Sequence, residues 1–485
     1  MSTGLRTDAN PAELAVEHAS APLALMARLA GSGLFDDYVV YERPGSWTFA
    51  GGMLAEVVLD ADTVRAHWPG QAPVIRPWAG RPSDALRDTF ADAPLPVWNA
   101  YGWIAFEFAA PRPAGRLAHL IVPRAEVRAE NGRVTVTGVD EADVEQVTEL
   151  LAKPDGHSVG EPSPVDVRTG GTPYRERVAE ALGEIHARRY QKVIVSRRLD
   201  IPHPVDVVST YVRGREANTP ARSFLLDLDG FQATGFSPEV LASVDASGHV
   251  MTQPLAGTRA FGLGAATDAR TRHDLETDPK EIYEHAVSVR TSQEELYRVC
   301  DQDSVHVTGF MTVKERGSVQ HLGSSVSGTL SPGHTAWDAL DALFPGVTAS
   351  GIPKPEAIEA ITRLEERRGL YSGAVVTVSH DGALDSALVL RALYAENGRA
   401  WLRAGAGIVS ASTPDREYEE TCEKLSSIAP HVVPRIWSAA GRNPPCRNSL
   451  TSKASAGCSP STPGSRSPRC RCSTPASSAE SPPGA

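Results

Sequence analysis

No run of 18 apolar residues occurs in this sequence, so no segment reads as a membrane span. There is no surplus of basic charge either. Lys+Arg number 48 against 59 Asp+Glu, a formal net charge of −11, whereas a nucleic-acid binder would carry a basic domain or stripe. Lysine is scarce within that set: only seven occur, at positions 153, 192, 280, 314, 354, 424 and 453. A lysine inside an apolar segment therefore stands out. Cysteine is poorly placed for structure. Of six, Cys300 and Cys422 lie in the body and Cys446, Cys458, Cys470 and Cys472 fall in the last 40 residues. With no C-x-x-C pair and no Cys/His ligand spacing, a zinc site and a disulfide framework are excluded, and a reducing cytoplasm is the expected compartment. The opening MSTGLRTDANPAEL has no basic region followed by an apolar one, so it does not read as a secretory signal. The strand–helix alternation of a dinucleotide-binding domain is missing. G-L-G-A-A at 262–266 has neither the glycine spacing nor the context of a phosphate loop.

What remains is globular: 485 residues, 41% hydrophobic and 22% charged, enough for one large core. The segment 436–485 differs from the rest. It holds twelve Ser and eight Pro but only Ile436, Trp437 and Leu450 as large apolar residues. It cannot bury enough surface to offset its ordering entropy and reads as a disordered tail, the sharper alternative being a basic interaction tail. Six basic residues and one acid make it +5, so the body 1–435 carries 42 basic and 58 acidic groups, or −16. Residues 1–165 mix strands and helices with many Pro and Gly, and KPDGHSVGEPSPVD reads as a connector inside one domain or a weak boundary.

From Thr172 the pattern sharpens. TPYRERVAEALGEIHARR reads as a helix capped by Thr172, and KVIVSRRLDI as a strand. SFLLDLD, FQATGFS, VLASVDA and HVMTQPL are short strands in hairpin-like succession. A helix is predicted over 278–300, two strands follow, and another helix covers 416–428. Such an order implies an α+β fold, with mainly antiparallel sheets and helices on their outer faces.

Several residues in this frame have chemical potential. In REYEETCEKL, Glu417 and Glu420 share a helix face with Lys424. In DPKEIYEHAVSVR, Glu281 and Glu284 do the same beside His285. Each pair alone could be a solvated face; converging, they would suit a hard cation such as Mg²⁺. Lys192 heads an apolar strand, where it either reaches back to water or points into a cleft as a candidate base. Glu239, between a Pro turn and a strand, is a candidate general acid if buried. PLAGTR (254–259) and RAGAGIV (403–409) read as tight turns or as unobstructed backbone for an anion. Arg391, within the apolar run ALVLRALY, needs an anionic partner, internal or bound.

As an ordered set, KVIVSR, GFSPEVL, PLAGTRA, KEIYEH, FMTVKERGSVQHLGS, FPGVTASGIPK, LYSGAV, LRALY, LRAGAGIV and REYEETCEKL are specific. They resemble the chorismate-utilising enzymes: anthranilate synthase large components, isochorismate synthases and salicylate synthases. The resemblance covers 172–434 and is closest in wording to the salicylate synthases of siderophore pathways. It implies one large domain over 1–434 built on two packed antiparallel sheets. It implies Lys192 as the base activating water at C2 of chorismate and Glu239 as the acid for the departing C4 hydroxyl. Glu284, Glu417 and Glu420 correspond to Mg²⁺ ligands, with Glu281 close by. Tyr371 and Arg391 would hold the pyruvyl side chain, aided by Gly405, Ala406 and Gly407. Gly257 and Thr258 would lie near the ring, and His321, Thr348 and Lys424 would line the same pocket. The resemblance implies salicylate and pyruvate as products, from a monomer with no obligatory amidotransferase. An isochorismate synthase, an anthranilate or aminodeoxychorismate synthase subunit and a non-catalytic paralogue are the alternatives. No L-L-E-S element for amino-acid feedback is visible, which counts against the anthranilate branch.

Overall fold

In a computed structural model, which describes residues 12–17, 21–153 and 158–435, the central strands are buried on both faces. Tyr38–Arg43 shows the pattern. Val39 and Tyr41 enter one apolar cluster, while Tyr38 and Val40 on the other face enter a second. Asn99–Ile104 divides likewise, Tyr101 and Trp103 joining the cluster that holds Val39. That shared cluster lies between two sheets, and the outer clusters lie under helices. A two-sided strand needs apolar residues at every position, which is why alternation is weak in these segments.

Among the described residues, one sheet has eleven strands, from Ala12–Glu17 at one edge to Arg399–Ile408, Lys192–Ile201 and Gly351–Ile352 at the other. The second has twelve, running from Leu255–Ala260 and Val319–Thr329 to Val74–Pro77, with His306–Arg316 added beside Val319–Thr329. The strand pairings are antiparallel, as expected. Helices Pro22–Gly31, Glu141–Ala152 and Val207–Ala217 cover the first sheet; Pro82–Ala91, Pro279–Leu296 and Ala336–Leu343 cover the second. No helix among the described residues is long and apolar enough to cross a membrane.

The first 150 residues are interleaved with the rest. Strands Tyr38–Arg43 and Ser46–Gly51 belong to the first sheet, and Ala55–Asp60 and Asn99–Ile104 to the second. The Pro/Gly-rich connector is strapped to the body, with Ser163 N–H donating to the Val432 carbonyl at 2.7 Å. It is a connector within one unit, Met1–Arg435. The expected tail 436–485 lies outside the described residues.

Local expectations need three corrections. Thr172 does not cap its helix, which spans Gly171–His186 and starts after Gly170 in a left-handed conformation. A helix at Ala265–Thr277 was not anticipated, its hydrophilic sequence burying only Leu275. Arg391 is not inside a strand; it separates Leu384–Leu388 from Ala392–Glu396. Those strands lie in different sheets, so Arg391 stands where the chain crosses between them. The chain makes another such crossing between Phe231–Ser237 and Val240–Val244, at Glu239. Ser237 Oγ ties the two crossings together, donating to the Leu388 carbonyl at 2.6 Å.

Candidate active site

Because a crossing residue belongs to neither ladder, its side chain can turn into the space the sheets leave open. Glu239 does so and is buried. Thr348 Oγ1 donates to one carboxyl oxygen at 2.7 Å and Leu255 N–H to the other at 3.3 Å. Burial pushes its carboxyl up to about 8, against those hydrogen bonds and the charge of Lys192. It therefore holds a proton at neutral pH, as a general acid must.

Arg391 enters the same cavity with φ at 51°, a backbone region that disfavours most side chains. One guanidinium nitrogen donates to the Arg316 carbonyl at 3.1 Å and another meets His321 Nε2. His321 Nδ1 lies 3.1 Å from both Thr258 Oγ1 and the Gly257 carbonyl. A carbonyl only accepts, so we assign the imidazole proton to Nδ1, leaving Nε2 to accept from Arg391. Burial, reinforced by Arg391 and Lys424, holds this imidazole far below its ordinary range and thus neutral. Burial and the neighbouring Arg316 lower the Arg391 guanidinium to about 9. No carboxylate pairs with it among the described residues; its partners are a carbonyl and an imidazole. An unpaired buried cation costs several kcal/mol, which a bound anion would offset.

The opposite side is made by two helices. Asp278 caps Pro279–Leu296 and Thr413 caps Pro414–Leu425, and each begins with proline. Their i,i+3 spacing directs Glu281 with Glu284, and Glu417 with Glu420, toward each other. All four act electrostatically on Lys280. Each also has a cation: Glu284 with Lys192 at 2.8 Å, Glu281 with Arg259 at 2.9 Å, Glu417 with Lys280 at 3.4 Å, Glu420 with Lys424 at 2.8 Å. Burial, then the charge of Glu420, raises Glu417 to about 7, and Glu417 Oε2 is buried without a hydrogen-bond partner. No three acidic, His or Cys side chains among the described residues stand close enough to hold a metal ion as placed. By chemistry the set suits a hard divalent cation, being all carboxylate with one buried oxygen, Glu417 Oε2, left without a hydrogen-bond partner.

Lys192 is buried, not a solvent-edge residue. Its ammonium contacts Glu284 and lies 3.4 Å from Ser288 Oγ. The glycines mainly create clearance. A Cβ at Gly407 would stand 2.7 Å from Glu284 Oε1 and 3.3 Å from Lys192 Cε; one at Gly405, 2.9 Å from the Tyr371 hydroxyl oxygen. Gly257 has φ at 80°, and a Cβ there would stand 3.0 Å from Glu281 Oε2.

Glu239, Gly257, Thr258, Glu281, Glu284, His321, Thr348, Tyr371, Arg391, Gly405, Gly407, Glu420 and Lys424 line one cavity. Lys192 and Glu417 stand just behind it, in contact with Glu284 and Lys280. Ala406 is the exception: it is buried but does not line the cavity, because strand alternation turns it away from the face of Gly405 and Gly407. His285 points elsewhere, its Nε2 lying 2.7 Å from Ser324 Oγ. A larger open groove around Trp78, Arg290 and Lys354 contains none of these groups. Sequence reasoning overlooked Arg403, which lines the cavity, and Arg259 and Lys280, which neutralise its glutamates. An arginine in an apolar strand was the available signal for Arg403.

The family profile described as chorismate binding enzyme matches residues 37–430. A salicylate synthase of Mycolicibacterium paratuberculosis is 48% identical over 436 residues, covering 88% of this chain and 94% of the relative. An anthranilate synthase component 1 of Mycolicibacterium smegmatis is 32% identical, over 79% of this chain and 82% of the relative. Anthranilate synthase component I of Streptococcus pneumoniae superposes with a TM-score of 0.66 at 26% identity, over 80% of this chain and 92% of that structure. The menaquinone-specific isochorismate synthase of Escherichia coli shares the fold, with a TM-score of 0.65 at 20% identity over 87% of this chain and 95% of that structure.

Proposed function

We propose that this chain, which belongs to the family of chorismate-binding enzymes, is a salicylate synthase converting chorismate through bound isochorismate to salicylate and pyruvate. The carrying observation is Glu239, a buried carboxyl that keeps its proton at neutral pH in a cavity ending on the unpaired Arg391. The 48% identity to a salicylate synthase selects the branch.

In this reading the substrate dianion spans the cavity. Arg391 takes the side-chain carboxylate, supported by Tyr371. Lys192 serves as the base for the water that attacks ring C2, and Glu239 gives its proton to the C4 hydroxyl, which leaves as water. One proton is taken and one given, so the enzyme resets by returning a proton from Lys192 to Glu239. In the second step the bond between C3 and the side-chain oxygen breaks and the C2 hydrogen moves to the side-chain methylene. Pyruvate leaves, and the ring becomes aromatic. Holding the reactive conformer supplies most of the help there. Glu284, Glu417 and Glu420, with Glu281 beside them, would hold Mg²⁺, which supplies a counter-charge for the ring carboxylate. We extend the reading to a cytoplasmic monomer that feeds siderophore assembly and uses water, and so works without an amidotransferase.

The test is product analysis after incubation with chorismate and Mg²⁺ without ammonia. Salicylate and pyruvate in equal amounts are expected. Isochorismate alone would move the assignment to an isochorismate synthase, and absence of any product would reject catalysis.

A further inference from the structure

Behind Tyr371 lies a charge cluster to which the proposed reaction assigns no role. Glu365, buried in the loop after the helix Lys354–Leu364, accepts from Arg368 Nε at 2.9 Å, Arg368 Nη2 at 3.0 Å and Arg403 Nη2 at 2.9 Å. It also accepts from Ser196 N–H at 2.5 Å and Ser196 Oγ at 2.6 Å. Burial would raise its carboxyl, yet Arg368 and Arg403 pull it below the ordinary value. Two guanidinium groups thus share one carboxylate. Their other acceptors are uncharged: the carbonyls of Ala349 and Ile194 and the Ser372 hydroxyl for Arg368, the carbonyls of Arg367 and Glu366 and the Ser196 hydroxyl for Arg403. The cluster keeps one net positive charge in the interior, where such charge is costly.

Its geometry points at Tyr371. Both Arg368 and Arg403 lie over the tyrosine ring, 5.6 Å from its centroid. The hydroxyl stands close enough to Gly405 that a Cβ there would meet it at 2.9 Å. Two cations held by one carboxylate thus lie against the ring, and its hydroxyl meets a strand position that must be glycine to admit it. Arg403 also lines the cavity directly, two residues before Gly405.

We propose that Arg403 is a positioning residue for the enolpyruvyl side chain: anchored by Glu365, it fixes Tyr371 against Gly405 and adds positive potential beside Arg391. This inference rests on the salicylate synthase reading. The consequence is specific to the second step. Water addition happens on the ring, whereas pyruvate loss requires the side-chain methylene to be held over ring C2. Loosening Tyr371 therefore lets bound isochorismate escape before it eliminates.

The experiment compares wild type with Arg403→Gln and Arg403→Lys, measuring chorismate consumption, the isochorismate-to-salicylate ratio and thermal midpoint together. The wild-type product assay comes first, so failure of the salicylate reading is seen separately. With that reading intact, Arg403→Gln is expected to raise the isochorismate share about tenfold, in line with the effect of sub-ångström misplacement on reaction geometry. Arg403→Lys keeps the charge but loses the planar fork, and should show an intermediate share; it also serves if Arg403→Gln does not fold. An unchanged product ratio in a folded variant, whatever its midpoint, overturns the proposal, because a merely structural role slows both steps alike.

Discussion

Where the helices Pro279–Leu296 and Pro414–Leu425 meet, each of four glutamates has its own cation; where the sheets exchange strands, Arg391 has no carboxylate and Arg403 shares one with Arg368. The first side is charge-balanced, each glutamate paired with one lysine or arginine. The second carries an uncompensated positive excess in rigid, buried geometry. The contrast teaches which side awaits which partner. A cation can enter the glutamate side by displacing lysines, and an anion can enter the arginine side without displacing any charged group. A dianion that binds one carboxylate at each side is thereby oriented before any chemistry starts.

The strongest way to break this comparison is through Lys192, which belongs to the glutamate side by contact and to the chemistry by proposal. Lys192→Ala should lower isochorismate and salicylate formation by about 10²–10⁴-fold, read by product quantification. Wild-type rates in that variant would remove the base. Next is Arg391→Gln. Losing the anion partner should raise KM for chorismate by about 10–100-fold, in keeping with the roughly 1.5–3 kcal/mol of a charged hydrogen bond. Its thermal midpoint should not fall, since a costly unpaired charge is removed. A clear loss of stability would show that Arg391 has an internal role.

Glu417→Gln tests the other side. It should raise the Mg²⁺ concentration needed for half-maximal activity by about tenfold while leaving KM at saturating Mg²⁺ close to wild type. Calorimetric Mg²⁺ titration of the protein alone gives a second reading. A further test concerns pH. The Glu239 carboxyl titrates at about 8 folded against an ordinary 4.5, so the folded state holds the extra proton between those values. Stability should fall as pH rises from about 4.5 to about 8 and level off above, and Glu239→Gln should abolish that slope. An unchanged slope in Glu239→Gln would show that this carboxyl does not carry the extra proton.

Much of this site was legible in the chain. The i,i+3 glutamates of REYEETCEKL and KEIYEH announce two helix faces, and helical periodicity alone brings each pair together. Arg391 stood out as an arginine among apolar neighbours in need of an anion, internal or bound, and among the described residues no carboxylate pairs with it. Its setting was misread, because an unbroken apolar run conceals the crossing between sheets. Ala406 was included with its glycine neighbours although alternation turns it away. Arg403 carries the same signal as Arg391 but went unused, since its meaning depends on Glu365, 38 positions earlier.

By itself, then, the sequence determined the local elements, the acidic helix faces and the few cations placed among apolar residues. These follow from periodicity and from the cost of burying charge. Only the tertiary structure decided that Lys192 meets Glu284, that Glu239 and Arg391 stand at paired sheet crossings, and that Tyr371 lies under two guanidinium groups. Those relations join residues far apart in the chain. Spacing carries no information about them until the sheets pack and exclude water, and that exclusion is what keeps the Glu239 proton in place and leaves Arg391 in need of an anion.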